Sequence, residues 1–217
     1  MGRIVCLVTG YIFGLFQSGY LYSKAHHMDI RQHGSGNSGS TNVLRVMGVK
    51  AALVVFLGDA FKMVFACLLT RYLFRNQPEA VYLYLLYTGF GVILGHNFPF
   101  FMGFQGGKGI AASAGLLLST DWRVTLVCLA VFVAVVAVTR YVSLGSILVM
   151  VFFFIGMVFF GHRGDYGLAP GRLNEFYGMA AVIALMGIWR HRGNIKRLLS
   201  GTENKLGARK EQRDGSS

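Results

Sequence analysis

The chain has 217 residues, 54% hydrophobic and only 14% charged, with a formal net charge of +12 and a mean hydropathy of +0.52. Soluble domains carry about 25% charged residues, so this composition excludes an ordinary soluble fold and implies a membrane protein. The basic residues lie between and beyond the apolar runs, which argues against a nucleic-acid surface.

Apolar stretches fall at 4–23, 50–70, 80–96, 110–120, 124–139, 142–160 and 176–189. A full crossing takes roughly 20 residues, with about 17 acceptable. The first, second and sixth stretches meet this, the third and fifth are borderline, and the fourth and seventh are short. The fourth has the length of a re-entrant half-helix continuing out of the loop before it. Seven spans are expected, in an all-α integral membrane fold. Arg3 and the apolar run behind it imitate a signal peptide, but Gln17, Ser18, Gly19 and Tyr20 offer no small-residue cleavage site, so an uncleaved first span is expected. Cys6, Cys67 and Cys128 sit in apolar runs without disulfide or metal spacing and read as packing residues.

With seven spans, the odd-numbered loops and the C-terminal tail share one side and hold fourteen basic residues, against six on the other. The positive-inside rule then places the N-terminus outside and the C-terminus in the cytoplasm. Residues 1–203 are expected to form one membrane domain, and 204–217 a disordered charged cytoplasmic tail.

The first loop packs Gly34, Gly36 and Gly39 among Ser35, Asn37, Ser38, Ser40, Thr41 and Asn42. Small hydroxyls and amides on a glycine-rich backbone suit phosphate or polyol oxygens. Arg31 and Arg45 add guanidiniums with the geometry for bidentate phosphate contacts. A plain Gly/Ser linker has a similar composition, but linkers do not need the two arginines. Within the second span, Asp59 and Lys62 lie three apart on one helical face, which reads as an internal ion pair because charges in a span pair inward.

The third span ends at His96, read as structural, and leads into NFPFFMGFQGGKGIAA, residues 97–112. Gly103, Gly106, Gly107 and Gly109 surround Lys108, and a helix starting near Ile110 would aim its positive dipole end at the same spot. An oxyanion, above all phosphate, fits such a loop. It is not a P-loop, because Gly109 stands where the metal-binding Ser/Thr would be. Ser143 and Ser146 sit at the mouth of the sixth span, where they can cap the helix or bind a ligand. After the seventh span, His191 and Asn194 share one helical face. No His-x4-Asp acyltransferase signature occurs, and no cytoplasmic carboxylate cluster is placed to hold magnesium.

Three of these motifs together resemble the acyl-phosphate-dependent glycerol-3-phosphate acyltransferases of bacterial membranes, the PlsY type. They are GSGNSGSTNVLR (Gly34–Arg45), GHNFPFFMGFQGGKGIAA (Gly95–Ala112) and HRGNIKRLLSGTE (His191–Glu203). Their order and their placement after spans one, three and seven also match, and the similarity runs over nearly the whole chain to Glu203. Ser40 stands where the family usually has alanine.

The resemblance implies transfer of a fatty acyl group from acyl phosphate to the 1-hydroxyl of glycerol 3-phosphate, giving lysophosphatidic acid and phosphate, in the bacterial cytoplasmic membrane. It implies no cofactor and no metal. Catalytic roles are expected for Ser35, Arg45, Lys108, His191 and Asn194. Substrate contacts are expected from Arg31, Gly36, Asn37, Thr41, Asn42, Gly106, Gly107, Gly109, Ser143, Ser146 and Glu203. The expected partners are the two substrates and the bilayer, with no nucleic acid, and the working unit is expected to be a monomer. Two phosphates then face Lys108, Arg45 and Arg31 as the available cations, and the hydroxyl proton goes either to His191 or to the acyl phosphate's own phosphate. Two other classes suit these charges. One is a phosphate or glycerophosphate transporter, which would carry inverted repeats with broken helices in both halves, where none is visible. The other is a non-catalytic lipid-binding membrane protein, which would keep the basic patches but need neither Ser35 nor His191.

Overall fold

In a computed structural model, which describes residues 1–207, the chain is helical throughout its ordered elements, with no strand among the described residues. The helices are α1 (Gly2–Gly14), α2 (Ser18–Ala25), α3 (Ser40–Leu73), α4 (Val81–Asn97), α5 (Ile110–Thr120), α6 (Trp122–Thr139), α7 (Val142–His162), α8 (Leu173–Arg190) and α9 (Arg192–Leu199). Among the described residues, five helical stretches are long and apolar enough to cross a membrane: Gly2–Ala25, Ser40–Leu73, Val81–Met102, Trp122–Thr139 and Val142–His162. The α5 helix, at 11 residues, reaches only about 16 Å, and neither it nor α8 belongs to that set.

The first stretch is not the single helix expected over 4–23. It breaks between α1 and α2, where the buried Gln17 amide donates to the carbonyls of Gly14 (3.1 Å), Gly95 (3.2 Å) and His96 (3.2 Å). A second correction concerns α3, which begins ten residues before the expected position 50 and so carries Thr41, Asn42 and Arg45 on its own first turns. Gly48, with φ +85°, kinks it below those turns.

Lipid tails are as apolar as leucine side chains, so helix association in a bilayer depends on close packing and interior polar contacts. The contact between α1 and α4 shows this. A Cβ on Gly10 or Gly14 would meet the carbonyl oxygens of Thr88 or Val92, and one on Gly91 or Gly95 those of Leu7 or Tyr11. Two G-x-x-x-G faces therefore interlock and fix the lower end of α4. The core collects around Leu83, Leu85, Leu86, Ile93, Leu116, Met150 and Phe153, all but excluded from the surface. The outward faces stay apolar, with Phe61 and Phe65 on α3 and Leu126, Leu129 and Val133 on α6 exposed. That surface suits lipid. At the end away from the glycine loop, Arg123 ties Asp121 to Asp165 (2.7 and 2.6 Å), and Arg3 pairs with Glu175.

Of the expected tail, residues 204–207 lie against the start of α7. The Leu206 N–H donates to the Arg140 carbonyl at 2.7 Å, and the Arg140 guanidinium donates back to the Leu206 carbonyl. Residues 208–217 lie outside the described part.

Candidate active site

Three segments far apart in sequence converge where α3, α5 and α7 open. The first loop is tied by one side chain. Asn42 accepts from the Ser35 N–H at 2.8 Å and donates to the carbonyls of Ile30 (3.3 Å), His33 (3.0 Å) and Asn37 (2.9 Å). With both ends of its amide spent, Asn42 shapes the loop. Asn37 caps the Gly39 N–H at 2.9 Å and donates to the Gly106 carbonyl at 3.2 Å, which joins the first loop to the glycine loop.

The glycine loop is held the other way round from the expectation. The N–H of Gly106 donates to the Asn97 carbonyl and that of Gly107 to the His96 carbonyl, each at 3.1 Å. Those two amides are therefore not free for an oxyanion. Their carbonyls are also taken, by the Arg190 guanidinium at 3.2 and 2.6 Å. What remains for an anion is the start of α5, after Gly109 turns the chain at φ +82°, because the first N–H groups of a helix have no partner within it.

Lys108 projects from this loop into a hydrogen-bonded chain. Its ammonium donates to Asn194 Oδ1. Asn194 Nδ2 donates to Glu203 Oε1 at 2.8 Å, the Ser143 hydroxyl donates to the same oxygen at 3.0 Å, and Arg197 donates to Oε2 at 2.7 Å. Burial, with the positive charges of Arg197, Arg45 and Arg190 adding to it, holds the Lys108 pKa down to about 8, against the pull of Glu203. Burial would raise the Glu203 carboxyl, but the hydrogen bonds from Asn194, Ser143 and Arg197 outweigh it and the pKa is lowered. Glu203 is an anchor for Asn194 and Ser143. Ser146 turns back to the Val142 carbonyl at 2.8 Å.

His191 caps α8 and is 3% exposed. Its Nδ1 lies 2.8 Å from the Gly187 carbonyl. A carbonyl oxygen only accepts, so Nδ1 carries the ring proton and Nε2 is left as an acceptor. Burial, followed by the charges of Lys108 and Arg190, lowers its pKa to about 4 despite the Gly187 contact. The ring is neutral at pH 7.

These groups share one cavity of about 380 Å³. Ser35, Asn37, Thr41, Asn42, Arg45, Lys108, Gly109, Ser143, Ser146, His191, Asn194 and Glu203 line it. Leu53 and Phe56 of α3 and Phe132 and Val136 of α6 continue it as an apolar wall. Arg31 is not among the lining residues. Asp29, two residues earlier, binds both edges of its guanidinium at 3.0 and 2.7 Å, and the group stacks 4.8 Å over the Tyr20 ring. Gly36, Gly106 and Gly107 also stand outside the lining. Asp59 and His96 do line the cavity, though the sequence marks them only as an ion-pair member and a structural histidine. No motif in the sequence marks Arg190, and its one signal is position, directly before His191.

The glycerol-3-phosphate acyltransferase family profile matches residues 4–201. A glycerol-3-phosphate acyltransferase of Clostridioides difficile (strain 630) is 41% identical over 209 residues, covering 96% of this chain and 97% of its own length. One from Thermoanaerobacter sp. (strain X514) is 39% identical over 212 residues, covering 97% and 99%. The crystal structure of PlsY (YgiH), an integral membrane glycerol 3-phosphate acyltransferase, in its glycerol 3-phosphate form superposes with a TM-score of 0.81 at 33% identity, covering 95% of this chain and 96% of that one. Its lysophosphatidic acid form gives a TM-score of 0.78.

Proposed function

The chain belongs to the glycerol-3-phosphate acyltransferase family, and we propose that it moves a fatty acyl group from acyl phosphate to the 1-hydroxyl of glycerol 3-phosphate. One observation carries this reading: Lys108, Arg45 and a neutral His191 face a single cavity that continues into an apolar wall. Two anionic head groups and one acyl chain need that combination of surfaces.

In the proposed reaction the glycerol hydroxyl oxygen attacks the acyl carbonyl carbon, and the bond from that carbon to the phosphate oxygen breaks. Phosphate leaves with the electron pair, and lysophosphatidic acid forms without an acyl-enzyme. Lys108 and Arg45 neutralise the phosphates and the charge developing at the reacting centre, as preorganised cations do best in a site with little water. His191 Nε2 accepts from the hydroxyl and orients it. A base with a pKa of about 4 is weaker than a phosphate dianion, whose second pKa is about 6, so the proton ends on the departing phosphate. Asn194, held by Glu203, keeps Lys108 in place. The acyl chain runs along Leu53, Phe56, Phe132 and Val136 toward lipid.

The wider assignment follows the same reading. The chain crosses the bacterial cytoplasmic membrane seven times, with short α5 as one crossing element, the N-terminus outside and the cavity at the cytoplasmic end. It works as a monomer on the two substrates, without metal, because the protein supplies both cations itself. The test is phosphate release by detergent-purified protein given palmitoyl phosphate and glycerol 3-phosphate. Release that requires both substrates, in step with lysophosphatidic acid, supports the reading. Exchange of labelled phosphate into palmitoyl phosphate without glycerol 3-phosphate reveals an acyl-enzyme and refutes direct transfer.

A further inference from the structure

At the wall of the cavity, which Asp59 and His96 line, three buried ionisable side chains that the transfer chemistry does not use meet inside the bundle. Asp59 and Lys62 come from α3 and His96 from the end of α4, and none is more than 5% exposed. The Lys62 ammonium has three protons and three close acceptors: Asp59 Oδ1 at 2.8 Å, the Phe16 carbonyl at 2.5 Å and His96 Nδ1 at 2.9 Å. An ammonium has no lone pair to offer, so Nδ1 accepts and the His96 ring proton sits on Nε2. The Phe16 carbonyl is at the break between α1 and α2, so this one lysine joins that break to α3 and α4.

The far edge of the same ring lies against the glycine loop. A Cβ built on Gly107 falls on His96 Nε2, with Cε1 2.8 Å and Cδ2 2.9 Å away. The Gly107 N–H also donates to the His96 carbonyl at 3.1 Å. The next residue is Lys108. Asp59 and Lys62 would satisfy each other on α3 alone, three residues apart, and gluing helices together does not require a ring seated under a glycine.

We propose that Asp59, Lys62 and His96 form a positioning device for Lys108: the ion pair fixes the ring, the ring sets the height of Gly107, and Gly107 sets where Lys108 enters the cavity. This rests on the acyl-transfer reading. It extends that reading to residues given no part in the transfer itself, and explains why a buried pair that costs desolvation is kept.

A size-exchange cycle tests it. Gly107→Ala adds a methyl where the ring lies, His96→Ala removes the ring, and the double variant lets the methyl occupy the space. Each single change is expected to lower kcat/KM for glycerol 3-phosphate by about 10- to 100-fold, mainly through KM, as displacements near 1 Å do. The double variant is expected to fall within about threefold of the better single variant. Losses that multiply, or melting temperatures that fall while KM stays constant, overturn the proposal. Should the variants fail to fold, the 15N resonances of His96 in the native protein still decide: the proton on Nε2 agrees, and a proton on Nδ1 overturns it. Wild-type activity is measured alongside. An inactive wild type removes the acyl-transfer reading and the proposal with it, whereas an active wild type with multiplying losses removes the positioning device alone.

Discussion

Replacing Lys108 with methionine removes one positive charge from the cavity and keeps an unbranched stem. At about 4 Å and an effective dielectric of about 20, an ammonium and one phosphate charge attract by about 4 kcal/mol. Losing that interaction in the transition state lowers kcat/KM by about 10³. Two opposing changes accompany it in the empty protein. Burial already opposes the ammonium, which is why its pKa is held down to about 8, so its removal relieves a strain. The Asn194 Oδ1 that it serves is left without that donor, at a cost of about 1 kcal/mol. Relieving the depression from 10.5 to about 8 is worth roughly 3 kcal/mol, more than that cost, so the melting temperature should hold or rise, at about 2–4 °C per kcal/mol for a chain this size. Steady-state kinetics with palmitoyl phosphate and thermal unfolding of the same detergent-purified variant should therefore separate, with activity nearly lost and melting not lowered. A kcat/KM within tenfold of wild type refutes the role given to Lys108, and so does a melting loss large enough to explain the inactivity.

The alkaline side of the pH profile reads the same residue. In wild type, kcat/KM for the free enzyme should fall as pH rises through about 8, where Lys108 loses its proton, and Lys108→Arg should remove that limb; a limb that survives the arginine belongs to another group. Glu203 raises the Lys108 pKa, so Glu203→Gln should move the limb to lower pH and reduce kcat/KM by about tenfold as Asn194 loosens, whereas an upward shift contradicts the anchor role. His191 titrates near 6.5 when unfolded and near 4 when folded. The unfolded chain takes up that proton first, so this residue's contribution to stability is complete above about 6.5 and is lost as pH drops toward 4. His191→Asn should flatten that part of a melting-temperature profile, and an unaltered slope refutes the assignment. Gly91→Ala drives a methyl into the Leu7 carbonyl and should destabilise by about 1–3 kcal/mol; an unchanged melting temperature contradicts the interlocked packing of α1 and α4.

Apolar length made most helices legible, since α5, α6 and α7 lie within two residues of the expected bounds. The break at Gln17 was not legible, because one amide in an apolar run carries no mark of partners 78 and 79 positions away. The G-x-x-x-G pairs at Gly10/Gly14 and Gly91/Gly95 are visible as spacings, but which faces which depends on the topology. At the site, residue types pointed to phosphate chemistry while individual roles depended on geometry. Gly106 and Gly107 look like anion-binding amides until their N–H groups are found on Asn97 and His96. Arg31 looks like a phosphate contact until Asp29 is seen to hold it. The Asp59–Lys62 pair follows from helical spacing, whereas its third member, His96, comes from another helix and no local pattern announces it.

The central claim is the identity of the acyl donor, and one competition reaction tests it. Purified protein is given glycerol 3-phosphate, EDTA and equal amounts of palmitoyl phosphate and palmitoyl-CoA, with the palmitoyl chain of the acyl phosphate carrying 13C. The lysophosphatidic acid is then weighed by mass spectrometry. Product bearing only the heavy chain is the predicted result. Light product identifies the thioester as donor and contradicts the account, and no product until a metal is restored contradicts the assignment of charge neutralisation to Lys108 and Arg45.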